Sequence, residues 1–254
     1  MKTLLSWLGG KSRLVPTILK RMPKHAQYVE PFFGGGALFW RKERCPREVV
    51  NDRDDRIVNL LAVAQRHPDA LVEEITHLVY ARRIFEEAKA GATHSMTDVE
   101  RAARFWLVVR GAFISKATSN TSMKIQGTRI GLTRRNILGM VAEAHERLAG
   151  VVIENRDFES LLTLKWPRTT FAYVDPPYVG HEDYYEVTFS NEDHERLAQV
   201  LEAFPGKWLL SYNNHRRVRQ LYKGRKIESV SLHYSSTARE GRMRKGTELL
   251  IANY

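Results

Sequence analysis

A glycine-rich turn between two short apolar segments is the feature that most constrains how this chain can fold. Gln27 to Glu30 has the character of a strand and runs into the turn Phe32 to Gly36, and Glu48 to Asp52 resembles a second strand that ends in acids. We expect a helix from Ala37 to Lys42 between them and another from Arg56 to Gln65 after them. The order strand, glycine turn, helix, strand and acid is typical of a Rossmann-like α/β fold.

This alternation stops between residues 66 and 148. The apolar spacing in Asp69 to Ala90 predicts a helix, and Thr97 with Glu100 forms a capping box that opens another. A polar, basic stretch follows from Ser115 to Arg135. We interpret residues 66–148 as a mostly helical insert that carries a basic loop or hairpin.

The α/β pattern returns after residue 148, so residues 1–65 and 149–254 together are predicted to form one domain. The second part contains predicted strands, a helix and a terminal antiparallel pair. In chain order these are the strands Val151 to Glu154 and Phe171 to Asp175, the helix Asn191 to Ala203, the strand Lys207 to Tyr212, and the pair Ile227 to Tyr234 and Thr247 to Tyr254.

The charge of the chain favours a polyanionic partner. Forty Lys and Arg residues stand against 29 Asp and Glu, which gives a formal net charge of +11. Nucleic acid is favoured over a membrane because the sequence has neither a basic amphipathic helix nor a bilayer-length apolar run. A single cysteine, Cys45, excludes an intrachain disulfide and a multi-cysteine zinc site, and no metal site is expected. The start lacks the apolar core of a signal peptide, so we expect a cytoplasmic protein.

The tetrapeptide Asp175-Pro176-Pro177-Tyr178 directly follows the short apolar run Phe171 to Val174. An exocyclic amine on a nucleobase is a poor nucleophile because its lone pair is delocalised into the ring. A carboxylate and a proline-fixed backbone carbonyl can accept its two hydrogens and localise that lone pair, while an aromatic ring stacks on the base. The tetrapeptide is therefore a candidate catalytic loop.

Taken together, these segments resemble the Dam-type DNA adenine-N6 methyltransferase family, which uses S-adenosylmethionine. The resemblance implies a Rossmann-like S-adenosylmethionine-dependent methyltransferase fold, with a catalytic domain of residues 1–65 and 149–254 and an inserted target-recognition domain of residues 66–148. The segments that carry it are Trp7 to Lys11, Glu30 to Gly36, the acidic strand end at Asp52, Asp157-Phe158, Asp175 to Tyr178, and Leu249 to Tyr254.

The resemblance also implies a cofactor site. The glycine turn would hold the methionine part of S-adenosylmethionine, Asp52 the ribose hydroxyls and Asp157 the adenine amino group, with Lys11 neutralising the cofactor carboxylate. Asp54 or Asp55 is an alternative to Asp52, and a helix N-cap is an alternative role for Asp157. The predicted cofactor-binding residues are Trp7, Lys11, Phe32, Gly34, Gly36, Asp52, Asp157 and Phe158.

In the family the tetrapeptide binds an adenine that has been turned out of double-stranded DNA. Asp175 would accept a hydrogen of the amine and receive its proton, the Pro176 carbonyl would accept the second hydrogen, and Tyr178 would stack on the base. The insert and a basic C-terminal segment (Arg239, Arg242, Arg244 and Lys245) would hold the remaining DNA. A cognate restriction endonuclease is a further possible partner, and a monomer is favoured. The candidate DNA-binding residues are Lys116, Asn120, Lys124, Gln126, Arg129, Arg134 and Arg135.

Other functions explain fewer of these features. A P-loop would need its first glycine at Leu5, and a nicotinamide dehydrogenase would need a small residue at Phe39. Cytosine-N4 methylation generally goes with Ser in place of Asp175, and glutamine methylation with Asn. RNA adenine methylation is the nearest alternative, followed by a catalytically silent DNA-binding protein on the same scaffold. The recognition sequence stays open, because Ser6 stands where members that methylate GATC often have Lys.

Overall fold

A computed structural model of the chain describes residues 4–5, 11–78, 81–91, 95–112, 122–123, 133–180, 188–234 and 244–254. Within these ranges the strands form one mixed sheet in the order β3-β2-β1-β4-β5-β7-β6. They are β1 (Gln27–Glu30), β2 (Arg47–Asn51), β3 (Val152–Glu154), β4 (Thr170–Val174), β5 (Lys207–Asn213), β6 (Lys226–Tyr234) and β7 (Arg244–Ala252). Strands β1 to β5 are parallel, whereas β7 lies antiparallel to both β5 and β6.

The strand order changes direction at β1. From there β2 and β3 extend the sheet on one side, and β4 and β5 extend it on the other. Val29 at the centre of β1 pairs with Val49 of β2 and with Ala172 of β4, so the loops after these strands leave from the same edge. In open α/β sheets ligands bind outside the carboxyl ends of the strands at such a switch point. The topology therefore indicates a site between the loops that follow β1 and β4.

Helices cover both faces of the sheet, as parallel strands require. Within β4, Phe171 and Tyr173 belong to the hydrophobic core on one face, and Ala172 and Val174 to the core on the other. The first face carries α1 (Val15–Leu19), α2 (Asp55–Arg66), α3 (Pro68–His77), α5 (Asp98–Gly111) and α6 (Arg134–Leu148), with α4 (Arg82–Lys89) packed on α5. The second face carries α7 (Phe158–Leu162), α8 (Asn191–Ala203) and α9 (Arg216–Leu221).

Side-chain caps fix where several predicted helices begin. The Thr97 hydroxyl accepts a hydrogen bond from the Glu100 N–H at 3.3 Å, and the Glu100 carboxylate accepts from the Thr97 N–H at 2.7 Å. Ser190 and Asp193 form the same capping box at the start of α8. Each cap contributes about 1 kcal/mol to the stability of its helix. The capping-box prediction and the predicted helix Asn191 to Ala203 are confirmed, as is the terminal antiparallel pair.

The helix predicted from Ala37 to Lys42 is wrong. This segment consists of turns, in which bonds of helical type (Trp40 N–H to the Gly36 carbonyl, 3.0 Å) alternate with tighter ones (Arg41 N–H to the Leu38 carbonyl, 3.0 Å). The Trp40 indole also donates to the Gly35 carbonyl at 2.9 Å, which directs the side chain back to the turn. Because no regular helix begins here, the helix N-terminus that was expected beside the glycine turn is not present.

The single helix predicted from Asp69 to Ala90 is also wrong. Helix α3 ends at His77, where Leu78 has an extended backbone with ψ at 122°, and α4 begins only at Arg82. The prediction rested on the apolar spacing of Leu71, Ile75, Leu78 and Val79, which continues past the last residue of α3. Apolar spacing alone does not show that a helix ends within it.

The helices of residues 66–148 share one hydrophobic core with the sheet. Leu71 of α3, Trp106 of α5 and Met140 of α6 belong to the same buried cluster as Tyr28 of β1. The side chain of Gln65, at the end of α2, donates to the Leu148 carbonyl at 2.7 Å and to the Val151 carbonyl at 2.9 Å. The segment therefore leaves and rejoins the α/β fold at one place, while its separate character as a target-recognition domain stays a prediction.

Candidate active site

The glycine turn after β1 adopts a conformation that suits glycine. Gly34 and Gly36 have φ angles of 50° and 60°, in the left-handed region. A Cβ atom at position 36 would lie 2.2 Å from Cζ of the buried Phe33 ring, so no larger residue fits without moving that ring. The Phe33 N–H donates to the Asn51 carbonyl at 2.9 Å, which joins the turn to the end of β2.

Asp52, directly after β2, braces the same turn. Its carboxylate accepts hydrogen bonds from the Gly34 N–H at 2.7 Å and from the Asp54 N–H at 2.9 Å. Burial raises the pKa of Asp52 from 3.8 to about 6, against the lowering effect of these bonds. An ionised carboxylate has about four lone-pair sites, so both oxygens retain room for a further donor such as a hydroxyl. Asp54 instead caps α2 and pairs with Arg56.

Asn51 ties together the loops that follow β1, β2 and β3. Its amide nitrogen donates to the Pro31 carbonyl at 2.8 Å and to the Arg156 carbonyl at 3.0 Å, while its amide oxygen accepts from the Arg156 N–H at 2.8 Å. The residue is almost completely buried. The only signal for Asn51 in the sequence was a polar residue near the end of an otherwise apolar predicted strand.

Asp157 caps α7 and is engaged by arginines. It accepts from the Glu159 N–H at 3.0 Å, and one guanidinium nitrogen of Arg196 lies 2.9 and 3.0 Å from its two oxygens. The Arg53 guanidinium lies 3.6 Å away. These contacts correspond to the N-cap alternative, and the predicted contact with a cofactor adenine stays a prediction.

Aromatic rings form an apolar floor between the glycine turn and α7. The ring of Phe32 lies 5.4 Å from Phe158 and 5.7 Å from Phe189, measured between centroids. Phe32 and Phe158, two of the three aromatic residues predicted to bind the cofactor, are therefore brought together beside the turn.

Asp175 stands at the carboxyl end of β4, within a chain of hydrogen bonds. The Ser211 hydroxyl donates to its Oδ1 at 2.9 Å, and the Tyr173 hydroxyl lies 3.0 Å from the Ser211 oxygen. The ammonium group of Lys11 is 3.3 Å from the same oxygen. Burial raises the pKa of Asp175, the nearby Lys11 lowers it, and the Glu248 carboxylate raises it further.

This loop retains acceptors that no described residue uses. Among the described residues, no donor is hydrogen-bonded to Oδ2 of Asp175 or to the carbonyl of Pro176. The Asn213 side chain donates to the Val179 carbonyl at 2.9 Å and so fixes the chain beyond Tyr178. Two acceptors and a ring thus lie within four residues of an anchored loop.

Lys11 and Glu248 form a buried ion pair beside the loop. The Lys11 ammonium is 2.9 Å from Glu248 Oε2 and lies 4.2 Å from the centre of the Tyr178 ring, and the Tyr178 hydroxyl donates to Glu248 Oε2 at 2.6 Å. Among the described residues, two carboxylates lie within 4 Å of the Lys11 ammonium, those of Asp175 and Glu248. Neutralisation of a cofactor carboxylate by Lys11 stays a prediction. Glu248 was not among the residues predicted from the sequence. Its only signal there was an acidic residue near the start of an apolar predicted strand.

Glu30, at the end of β1, is a second buried acid at the switch point. It is 2% exposed and accepts a hydrogen bond from the Tyr28 hydroxyl at 2.6 Å. Burial raises its pKa from 4.5 to about 8, and the negative charge of Asp175 adds to this effect. Glu30 is therefore mostly protonated at neutral pH.

Several predicted residues fall outside the described ranges or away from the loops at the switch point. Arg134 and Arg135 are exposed on the first turn of α6. Trp7, Lys116, Asn120, Lys124, Gln126 and Arg129 lie outside the described residues, as does most of the basic C-terminal segment.

Neither a metal-ligand cluster nor a membrane-spanning helix occurs in the described part of the chain. Its His, Cys, Asp and Glu residues include no group of three or more arranged to hold a metal ion. Its helices include none that is both long and apolar enough to cross a bilayer.

Comparison with known proteins connects this geometry to a family. The sequence model of the family described as D12 class N6 adenine-specific DNA methyltransferase matches residues 7–236. Three relatives of this chain align over almost their whole length. The type II methyltransferase M1.LlaDCHI of Lactococcus lactis subsp. cremoris is 26% identical and covers 100% of this chain and 96% of its own.

Two further relatives extend the match to other sources. The type II methyltransferase M.CviBI of Paramecium bursaria Chlorella virus NC1A is 24% identical, with 100% of both chains covered. The DNA adenine methylase of Escherichia coli K12 is 20% identical and covers 98% of this chain and 94% of its own. The resemblance identified from the motifs is confirmed. Since the family match includes the glycine turn, the Asp175 loop and most of the sheet, the chain belongs to the D12 class of N6 adenine-specific DNA methyltransferases.

Proposed function

We propose that this adenine-specific methyltransferase transfers the methyl group of S-adenosylmethionine to N6 of an adenine turned out of double-stranded DNA. The observation that carries the proposal is the pair of unused acceptors, Asp175 Oδ2 and the Pro176 carbonyl, beside the Tyr178 ring at the carboxyl edge of the sheet. This set matches the two hydrogens and the flat face of an adenine amine.

The residues next to the loop suit S-adenosylmethionine by their chemistry. Methyltransferases of this family use that cofactor, which supplies a methyl group already activated on a sulfonium. Asp52 has acceptor capacity for hydroxyl groups, the glycine turn admits a close backbone approach, and Phe32 with Phe158 provides an apolar surface for a ring. We assign the ribose to Asp52, the methionine part to Gly34 and Gly36, and the adenine to the Phe158 side.

The chemical step needs positioning and a proton acceptor. The Asp175 carboxylate accepts one hydrogen of the amine at Oδ2, and the Pro176 carbonyl accepts the other, which localises the nitrogen lone pair toward the methyl group. As the new N–C bond forms, the bond between the methyl carbon and sulfur would break and its electrons would go to the sulfur. The amine loses a proton in the same process, and Asp175 receives that proton at Oδ2. Placing the reacting atoms in line accounts for much of the rate enhancement in such reactions. Tyr178 holds the base by stacking.

Double-stranded DNA is the proposed macromolecular substrate. Its target base is not accessible within the helix, so the base must be turned out at a cost of a few kcal/mol. The net charge of +11 supports phosphate binding. We assign the phosphate and base-edge contacts to the basic stretch of the segment 66–148, which contains Lys116, Asn120, Lys124, Gln126 and Arg129, with Arg134 and Arg135 at its end. We further propose that the protein acts as a monomer in the cytoplasm of a bacterial or phage-infected cell.

Product analysis tests this function. The purified protein is incubated with S-adenosylmethionine and with either plasmid DNA or RNA, and the nucleosides are analysed by mass spectrometry. We expect N6-methyladenine in DNA. N4-methylcytosine would assign the sibling cytosine chemistry, N6-methyladenine confined to RNA would assign an RNA enzyme, and no product would assign a silent DNA-binding protein. Sequencing of the methylated positions would give the recognition site.

A further inference from the structure

We propose that Glu248 is a positioning residue for methyl transfer, which holds Lys11 and Tyr178 in place around the Asp175 loop. The inference rests on the proposed function of that loop and adds a residue from the far end of the chain. Glu248 lies on β7, paired with Asn213 of β5 and with Val230 of β6. Because β7 runs antiparallel to β5, its first half reaches the carboxyl edge of the sheet where the loop lies.

A single oxygen of Glu248 makes the contacts that matter. Its Oε2 accepts from the Lys11 ammonium at 2.9 Å and from the Tyr178 hydroxyl at 2.6 Å. Glu248 is 3% exposed and Lys11 is 6% exposed, so water screens this pair poorly. Hydrogen bonds to an ionised group are the strong ones in proteins. The carboxylate therefore fixes both an ammonium and a phenol ring relative to each other.

The position of Lys11 decides how strongly the Asp175 carboxylate can accept a hydrogen bond from the substrate amine. The ammonium is 2.9 Å from Glu248 and 3.3 Å from Asp175, so it is shared between the two carboxylates and lies closer to Glu248. Without the charge of Glu248, we expect Lys11 to move toward Asp175 and to neutralise it further. A more neutralised carboxylate is a weaker acceptor for the amine. Glu248 thus keeps the charge of Asp175 available to the substrate.

The position of Tyr178 depends on the same carboxylate. The ring lies under the Lys11 ammonium, 5.7 Å from the Tyr212 ring, and its hydroxyl is held by Glu248. These contacts fix the plane on which the target base would stack. Without the Glu248 carboxylate, the hydroxyl end of the Tyr178 ring is no longer held in place. The base could then stack on the ring in orientations that do not lead to methyl transfer.

The test compares wild-type protein with Glu248→Gln in steady-state and single-turnover methyl transfer. Glutamine keeps the shape and one acceptor but removes the charge. We expect kcat to fall about 10- to 100-fold, the range that the loss of a charge-assisted hydrogen bond corresponds to, while KM for DNA and for the cofactor changes little. A merely structural residue would not separate kcat from KM in this way.

The pH dependence gives a second readout. The Glu248 carboxylate raises the pKa of Asp175, so its removal lowers that pKa. We expect the acid limb of the kcat profile to move to lower pH in Glu248→Gln. Glu48→Gln is the matched control. Glu48 is likewise a buried strand glutamate with two cationic partners, Lys42 and Arg147, but it lies near the amino-terminal end of β2, at the opposite edge of the sheet from the Asp175 loop. The control should lose stability without a shift of the acid limb.

The outcomes separate this inference from the proposed function. If wild-type protein methylates no adenine in DNA, the proposed function fails and takes the inference with it. If wild-type protein is active and folded Glu248→Gln matches it in kcat and in pH profile, only the inference fails. Should Glu248→Gln not fold, Tyr178→Phe removes just the hydroxyl contact. That variant should lose roughly tenfold in kcat at unchanged KM, and a wild-type kcat in it would overturn the inference.

Discussion

Replacement of Glu30 by glutamine should change how stability depends on pH. The carboxyl group is buried at the switch point, accepts a hydrogen bond from Tyr28, and is influenced by Asp175, Lys42 and Arg147. Its pKa is about 8 in the folded protein and 4.5 in the unfolded chain. Between these values the folded state holds a proton that the unfolded state has released. The contribution of Glu30 is therefore fully present below pH 4.5 and is lost as the pH rises to about 8.

The magnitude follows from the separation of the two pKa values. At about 1.4 kcal/mol per pH unit, the wild-type protein should lose up to about 5 kcal/mol relative to Glu30→Gln between pH 4.5 and 8. Glutamine cannot titrate and still offers an oxygen to the Tyr28 hydroxyl. The contributions of the other titrating groups therefore cancel when the unfolding free energies of the two proteins are subtracted at each pH. Urea unfolding at a series of pH values, followed by tryptophan fluorescence, measures it. Glu43→Gln, at an exposed glutamate, controls for the substitution itself.

A constant difference between wild-type protein and Glu30→Gln across this pH range would refute the reasoning. It would mean that Glu30 ionises as readily in the folded protein as in the unfolded chain. The burial at the end of β1 would then not control its charge.

Further predictions concern the glycine turn and the DNA contacts. Gly36→Ala should lose roughly 2–4 kcal/mol of unfolding free energy, because it combines a left-handed backbone with a contact on the Phe33 ring. Gly91→Ala has the same backbone requirement in open space and should lose only about 1–2 kcal/mol; equal losses in the two variants would contradict the contact. Lys124→Ala and Arg129→Ala should each weaken DNA binding and lower the slope of log affinity against log salt by about one, and an unchanged slope in both would count against that surface.

Local signals in the sequence were sufficient for much of the fold. Strands β1, β2 and β4, the capping box at Thr97 and the helix after Ser190 depend on residues within a few positions of one another, so pattern and cap chemistry identify them. Leu78 shows the limit of such signals. The apolar spacing continues across it, although helix α3 ends at His77 and the backbone of Leu78 is extended.

The candidate site was only partly accessible to the same reasoning. The Asp175 loop and the glycine turn are each formed by a short continuous stretch of sequence, and the topology brings the two to one edge of the sheet. The pairing of Lys11 with Glu248 joins residues that are 237 positions apart, and nothing near either residue predicts it. Asn51 and Glu30 were missed for the same reason, because their importance arises from burial among loops that come together only in the folded chain.

The most direct test of the account compares Asp175→Ala with the wild-type protein in single-turnover methylation of duplex DNA, with DNA affinity measured in parallel. The account predicts that the variant binds DNA nearly as well as wild type but forms N6-methyladenine at least about 100 times more slowly, because the amine has lost its carboxylate acceptor. Methylation by Asp175→Ala at the wild-type rate would contradict it.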